Sequence, residues 1–110
     1  MVPAIAANRT ITLPAPVAGQ TYKLIYGGAA EEAENLIIVT PGNTNFFIGC
    51  IVHLDSNADN ASIYSNGSSN SKLTLTDFGC FEINIVAKDS TNYFIHGYAE
   101  SADAPAFANQ

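Results

Sequence analysis

SKLTLTDFGCFEINIVAKDSTNYFIHGYA, residues 71–99, holds the pattern that decides the fold. Leu73 and Leu75 alternate with Lys72, Thr74 and Thr76, and Phe81, Ile83 and Ile85 alternate with Glu82, Asn84 and Val86. Successive side chains of a strand point to opposite faces, so a period of two marks a half-buried β-strand. Turn residues at Asp77–Gly79 and Lys88–Ser90 separate these runs, and Tyr93–Ala99 follows as the last strand.

Working outward, the same grammar recurs. Arg9–Leu13 alternates, and in Thr21–Tyr26 the residues Tyr22, Leu24 and Tyr26 share one face. Ala29–Glu34 has the composition of one short helical turn. Leu36–Thr40 reads as a buried strand, stopped by the turn chemistry of Pro41-Gly42-Asn43. Phe46–Leu54 is the longest strand, and Gly49 within it signals a bulge or a close neighbour. Ala61–Ser65 is a short strand before Asn66-Gly67, the strongest turn dipeptide in the chain. No segment sustains a helical period. The sequence therefore predicts an all-β protein, a single antiparallel β-sandwich or jelly-roll-like domain of about eight strands. The domain spans residues 9–100, after an extended N-terminal arm at 1–8 and before an Ala- and Pro-rich tail at 101–110. The expected core is Ile11, Leu13, Leu24, Ile37, Val39, Ile48, Ile51, Leu73, Leu75, Ile83, Ile85 and either Phe94 or Ile95.

Composition narrows the function. Among 110 residues, 13% are charged, 47% are apolar and the net charge is −6; about 25% charged is usual. Disorder needs the opposite balance. The apolar runs are too short for a membrane-spanning helix. Arg9, Lys23, Lys72 and Lys88 are scattered rather than clustered, which argues against binding the phosphates of a nucleic acid. Few charges with high apolar content mean that Asn, Ser and Thr cover the outside, or that part of the outside is a subunit interface. Residues 1–8 lack the basic and apolar regions of a secretory signal, so synthesis in a cytosol is expected, with Cys50 and Cys80 as free structural thiols or, if strand pairing brings them together, a disulfide.

No constellation of catalytic side chains emerges. His53 and His96 each sit inside an apolar strand, and Cys50 and His53, three apart on one strand, face opposite sides. A pairing of Cys80 with either histidine stays open, with nothing in the sequence to support it. Asp55-Ser56-Asn57-Ala58-Asp59 has the alternating oxygens of a calcium loop, but Asn60 and Asn66 stand where Gly and Glu belong, so a polar turn is the better reading. Glu31, Glu32 and Glu34 read as a solvated edge, and the sequons at Asn8, Asn60 and Asn66 as chance in a chain rich in Asn, Ser and Thr. No metal, cofactor or catalytic residue is expected, and the chain reads as a non-enzyme.

The stretch IYSNGSSNSKLTLTDFGCFEINIVAKDSTNYFIHGYAESADAPAFA, residues 63–108, resembles the C-terminal half of small virion structural proteins of tailed phages, marine ones especially. The shared features are the Ser/Asn-rich turn before Ser71–Thr76, the Gly79 turn, the apolar strand Ile83–Ala87, the polar turn Asp89–Asn92, the aromatic strand Tyr93–Gly97 and the tail Ala104–Ala108. That strand often carries Trp in such proteins; here it carries Tyr and Phe. The resemblance implies a capsid decoration (cement) protein on the outer surface of the phage head, made in the host cytoplasm. It would be a homotrimer whose partner is the major capsid protein. Val2, Pro3 and Ile5 are the candidate capsid-binding residues of the arm, which otherwise packs on its own domain or frays; Phe46, Phe47, Tyr93 and Tyr98 are the candidate trimer contacts, each of which serves equally as core. The alternative is a host-surface glycan-binding module of a fibre, tailspike or knob, with Tyr64 beside the polar loops of residues 57–70.

Overall fold

A computed structural model describes residues 1–57 and 60–110 of the chain. Its nine strands are β1 (Arg9–Thr12), β2 (Thr21–Ile25), β3 (Leu36–Val39), β4 (Phe46–Asp55), β5 (Ala61–Tyr64), β6 (Lys72–Leu75), β7 (Phe78–Ala87), β8 (Asn92–Ser101) and β9 (Ala106–Ala108). They form a four-stranded sheet of order β1-β3-β6-β9 and a five-stranded sheet of order β2-β7-β8-β4-β5. One hydrophobic cluster draws on both: Leu36, Ile38, Leu73 and Leu75 from the first sheet, Phe47, Ile51, Phe81, Ile83, Ile85 and Ile95 from the second. The fold is therefore the expected all-β sandwich.

The sheets are mixed rather than antiparallel throughout, so the strand order differs from that of an all-antiparallel jelly roll. β1 runs parallel to β3, and β4 parallel to β8 over ten residues without a register shift. A period of two reports that a strand is half-buried; it carries no information on which way its neighbour runs. The strand predicted last has a ninth beyond it, because Ala106–Ala108 of the expected tail pairs antiparallel with β6. Gln110 secures that end, its amide nitrogen donating to the Thr40 carbonyl at 2.9 Å.

Two faces differ from expectation. In β3, Leu36 and Ile38 enter the core and Ile37 points outward, while Val39, though buried, lies outside the central cluster. A fully apolar run has no polar residue to reveal its parity. In β4, Phe47 and Ile51 point inward, which leaves Ile48 on the outer face. Gly49 is there for a close neighbour rather than a bulge. Its φ is +132°, and a Cβ at this position would lie 2.1 Å from the Ile95 carbonyl oxygen. Gly97 on β8, the register partner of Ile51, is alike, with φ +147° and the Glu82 carbonyl oxygen at 2.0 Å. Ile95 is the buried member of the Phe94/Ile95 pair. Residues 29–34 form bends and no helix.

The arm at residues 1–8 is extended but docked on its own domain. Val2 is buried and forms a parallel bridge with Tyr26. Its N–H donates to the Ile25 carbonyl at 2.8 Å, and its carbonyl accepts from Gly27 at 2.7 Å. The arm thus prolongs the exposed edge beside β2.

Candidate interaction face

Alternation along the three ten-residue strands of the larger sheet sends one set of side chains to the core and the other outward. The outward set on β4 is Phe46, Ile48, Cys50, Val52 and Leu54. Not one of them is charged. β8 adds Phe94, His96, Tyr98 and Glu100, and β7 adds Glu82, Asn84 and Val86. Register assembles these into rows across the sheet. Val86, Phe94 and Ile48 form one row. Lys23, Asn84, His96, Cys50 and Tyr64 form the next, and Ile25, Glu82, Tyr98, Val52 and Ser62 the third. Phe94 is 44% exposed, Val52 38% and Tyr64 72%.

The outer face of the smaller sheet is made differently. Thr10 and Thr12 on β1, Lys72 and Thr74 on β6, and Ile37 on β3 occupy its outward positions. It is the solvated face that a sandwich usually presents on both sides.

Charge on the aromatic face is nearly cancelled. Lys23 and Glu82 pair at 2.9 Å, and this hydrogen-bonded lysine, with Asn84 assisting, holds the Glu82 carboxyl below the usual carboxylate range. Lys88 reaches back over the Phe94 ring, 5.8 Å from its centroid, a cation–π contact. The Tyr98 hydroxyl lies 3.6 Å from the Cys80 sulfur, and that contact raises its pKa.

Of the candidate trimer contacts, Phe46 and Tyr98 lie on this face. Phe47 and Tyr93 do not. They are register partners on the core side, both fully buried with ring centroids 6.1 Å apart, and the Tyr93 hydroxyl donates to the Pro14 carbonyl. In the run Phe46-Phe47 only one of two adjacent aromatics can face out, and the sequence alone does not say which. Ile48, Cys50, Val52, Leu54 and Phe94 escaped sequence reasoning. The signal for them was the unbroken apolar run of β4, a pattern of strands covered on both faces.

The arm residues occupy a second region. Val2 is committed to the core cluster, whereas Pro3 and Met1 are exposed. The Ile5 N–H donates to the Glu32 carboxylate at 3.2 Å, and the Tyr26 hydroxyl donates to the same oxygen. That bond raises the Tyr26 pKa from 10.0 to about 12. Glu32 is thus a clasp for the arm rather than part of a freely solvated edge. Between the arm, Arg9, Ile11 and Leu36 lies an open cavity of about 480 Å³.

The side chains considered for chemistry are dispersed. His53 is buried, its Nε2 3.0 Å from the Ser101 carbonyl oxygen. Cys50 lies beside His96 by register, on an open sheet face and with no hydrogen bond between them among the described residues. Both cysteines are free thiols. Among the described residues no three His, Cys, Asp or Glu side chains gather as a metal ion requires. Ala58 and Asp59 of the calcium-like pattern lie outside the described residues; Asp55 accepts from the Asn57 N–H at 2.7 Å as a turn does. No family model matches the chain, and comparisons with curated proteins and with solved structures gave no significant match.

Proposed function

We propose that the chain is a non-enzymatic virion structural protein, a phage capsid decoration protein that binds the outside of the head and stabilises the coat lattice. The observation that carries this reading is the aromatic and aliphatic outer face of the five-stranded sheet, which a solitary sandwich has no reason to keep. The resemblance of residues 63–108 to virion proteins supports the same assignment. Cementing needs no reaction. It needs contacts spread over several coat subunits, so that expansion must break many together, and a trimer multiplies one weak contact by avidity. The arm adds a second contact. Pro3 and Ala4 lie exposed next to the bridge from Val2 to Tyr26, at the end of β2, where an extended coat segment would continue the sheet.

The test is saturable binding of the purified chain to expanded empty heads of the parent phage. Binding with a solution mass of three chains is the expected result. A self-associating chain that ignores heads but binds host cells would favour the second reading, a host-glycan module. That reading draws on Tyr64, Phe94 and Tyr98 sharing the face with His96, Asn84 and Ser62, a mix of rings and polar groups suited to sugars.

A further inference from the structure

We infer that the outer face of β7, β8, β4 and β5 is covered by a second copy of this chain. The inference deepens the decoration reading by naming the occupant of this face, and it can fail while that reading survives.

Size is the first argument. Strands about 4.8 Å apart with a rise of about 3.3 Å per residue give the outer face of these four strands roughly 540 Å² in projection. Two such faces together reach the ~1,000 Å² of total buried area that a specific interface must clear. Its centre, Ile48, Cys50, Val52, Phe94 and Tyr98 around His96, holds no Asp, Glu, Lys or Arg and carries the rings of Phe94 and Tyr98, as interface centres do.

Charge is the second argument. The chain as a whole carries −6, which opposes bringing two copies together at random. The strand positions of this face carry only Lys23, Glu82 and Glu100, and the first two neutralise each other. The other described acids lie on connections and at Asp55, where β4 ends. Apart from Glu100 at one end, a partner selected by charge has little to read on this face. A second sheet of the same composition suits it, since sheets pack face to face about 10 Å apart with interdigitated side chains. Two copies close the contact if face meets face, three if each face takes its neighbour's sheet edge; either closure covers the same residues.

The experiment compares solution mass by light scattering for the wild type, Val52→Lys and Thr74→Lys, with circular dichroism and urea unfolding as fold controls. A wild-type mass of two or three chains, a single-chain mass for Val52→Lys and an unchanged multiple for Thr74→Lys are expected. A wild type of single-chain mass at all concentrations overturns the inference, as does a Val52→Lys variant that keeps the wild-type multiple. Should Val52→Lys fail to fold, alkylation of Cys50 in a Cys80→Ser background decides instead. Its rate should fall at least tenfold as concentration rises; a concentration-independent rate overturns the inference. Head binding is scored separately on each sample. A single-chain protein that still binds heads removes the copy contact and keeps the decoration role, and an oligomer that ignores heads does the reverse.

Discussion

The two sheets of this sandwich share one core and present opposite exteriors. The outer face of the four-stranded sheet carries Thr10, Thr12, Lys72 and Thr74 around Ile37; that of the five-stranded sheet carries Phe46, Ile48, Val52, Phe94 and Tyr98 beside Glu82, Asn84, His96 and Glu100. Both sheets contribute to the one buried cluster, and on the reading proposed above the difference between the exteriors belongs to a partner on the larger sheet.

The sharpest way to break the comparison lies within one dipeptide. Phe47→Ala opens the core and should cost about 3–5 kcal/mol, whereas Phe46→Ala, one residue away on the outer face, should change the stability of the dissociated chain by less than about 1 kcal/mol. Urea unfolding at low concentration measures both. Equal losses would mean that the outer face is already buried by the chain itself. Next in size is the arm, the rival for spare apolar surface. Val2→Ala should cost about 1.6 kcal/mol, two buried methylene equivalents. A free substitution would hand the arm to a partner and weaken the claim of the sheet face.

A smaller effect separates the arm from the sheet by pH. Tyr26 is raised from 10.0 to about 12 by donating to Glu32. A raised folded-state pKa contributes stability that is complete below pH 10 and is lost as pH climbs toward 12. Loosening of the arm in that window, followed by amide exchange or proteolysis near residue 5, should disappear in Tyr26→Phe. Smallest of all, Thr74→Val on the solvated sheet should shift stability by no more than about 0.5 kcal/mol and leave the mass of the assembly unaltered; association provoked by this one methyl exchange would show that the two exteriors are less different than their compositions say.

Much of the fold was legible because alternation is local. Leu73 and Leu75, Ile83 and Ile85, and the Tyr22, Leu24, Tyr26 face all point where their period placed them. Parity failed only where polar punctuation was missing, at Ile37 in an all-apolar β3 and at Ile48 beside Gly49. The parallel pairings and β9 were invisible for another reason. They join segments far apart in the chain, and no residue type announces a distant partner. Asn66-Gly67 shows the limit of local signals. The turn forms, with Gly67 at φ +73° and Asn66 Oδ1 accepting from the Ser68, Ser69 and Asn70 N–H groups, yet it links strands of different sheets rather than a hairpin. The candidate face was half legible. Phe46 and Tyr98 were named from composition, but the rows that join them to Val52 and Phe94 exist only through the register of β4 with β8.

The parallel union of β4 and β8 also sets a timetable. Phe46–Asp55 leaves the ribosome long before Asn92–Ser101, and until then the apolar β4 has no permanent neighbour on that flank. Pairings between distant segments close slowly, on the ms–s scale typical of β-sandwiches. During synthesis β4 can therefore take β5 on one side while its other edge stays open until β8 appears. How quickly β8 follows then sets how long that flank stays open, and a slowed codon tract between the two strands should raise the aggregated fraction without altering the protein that emerges folded.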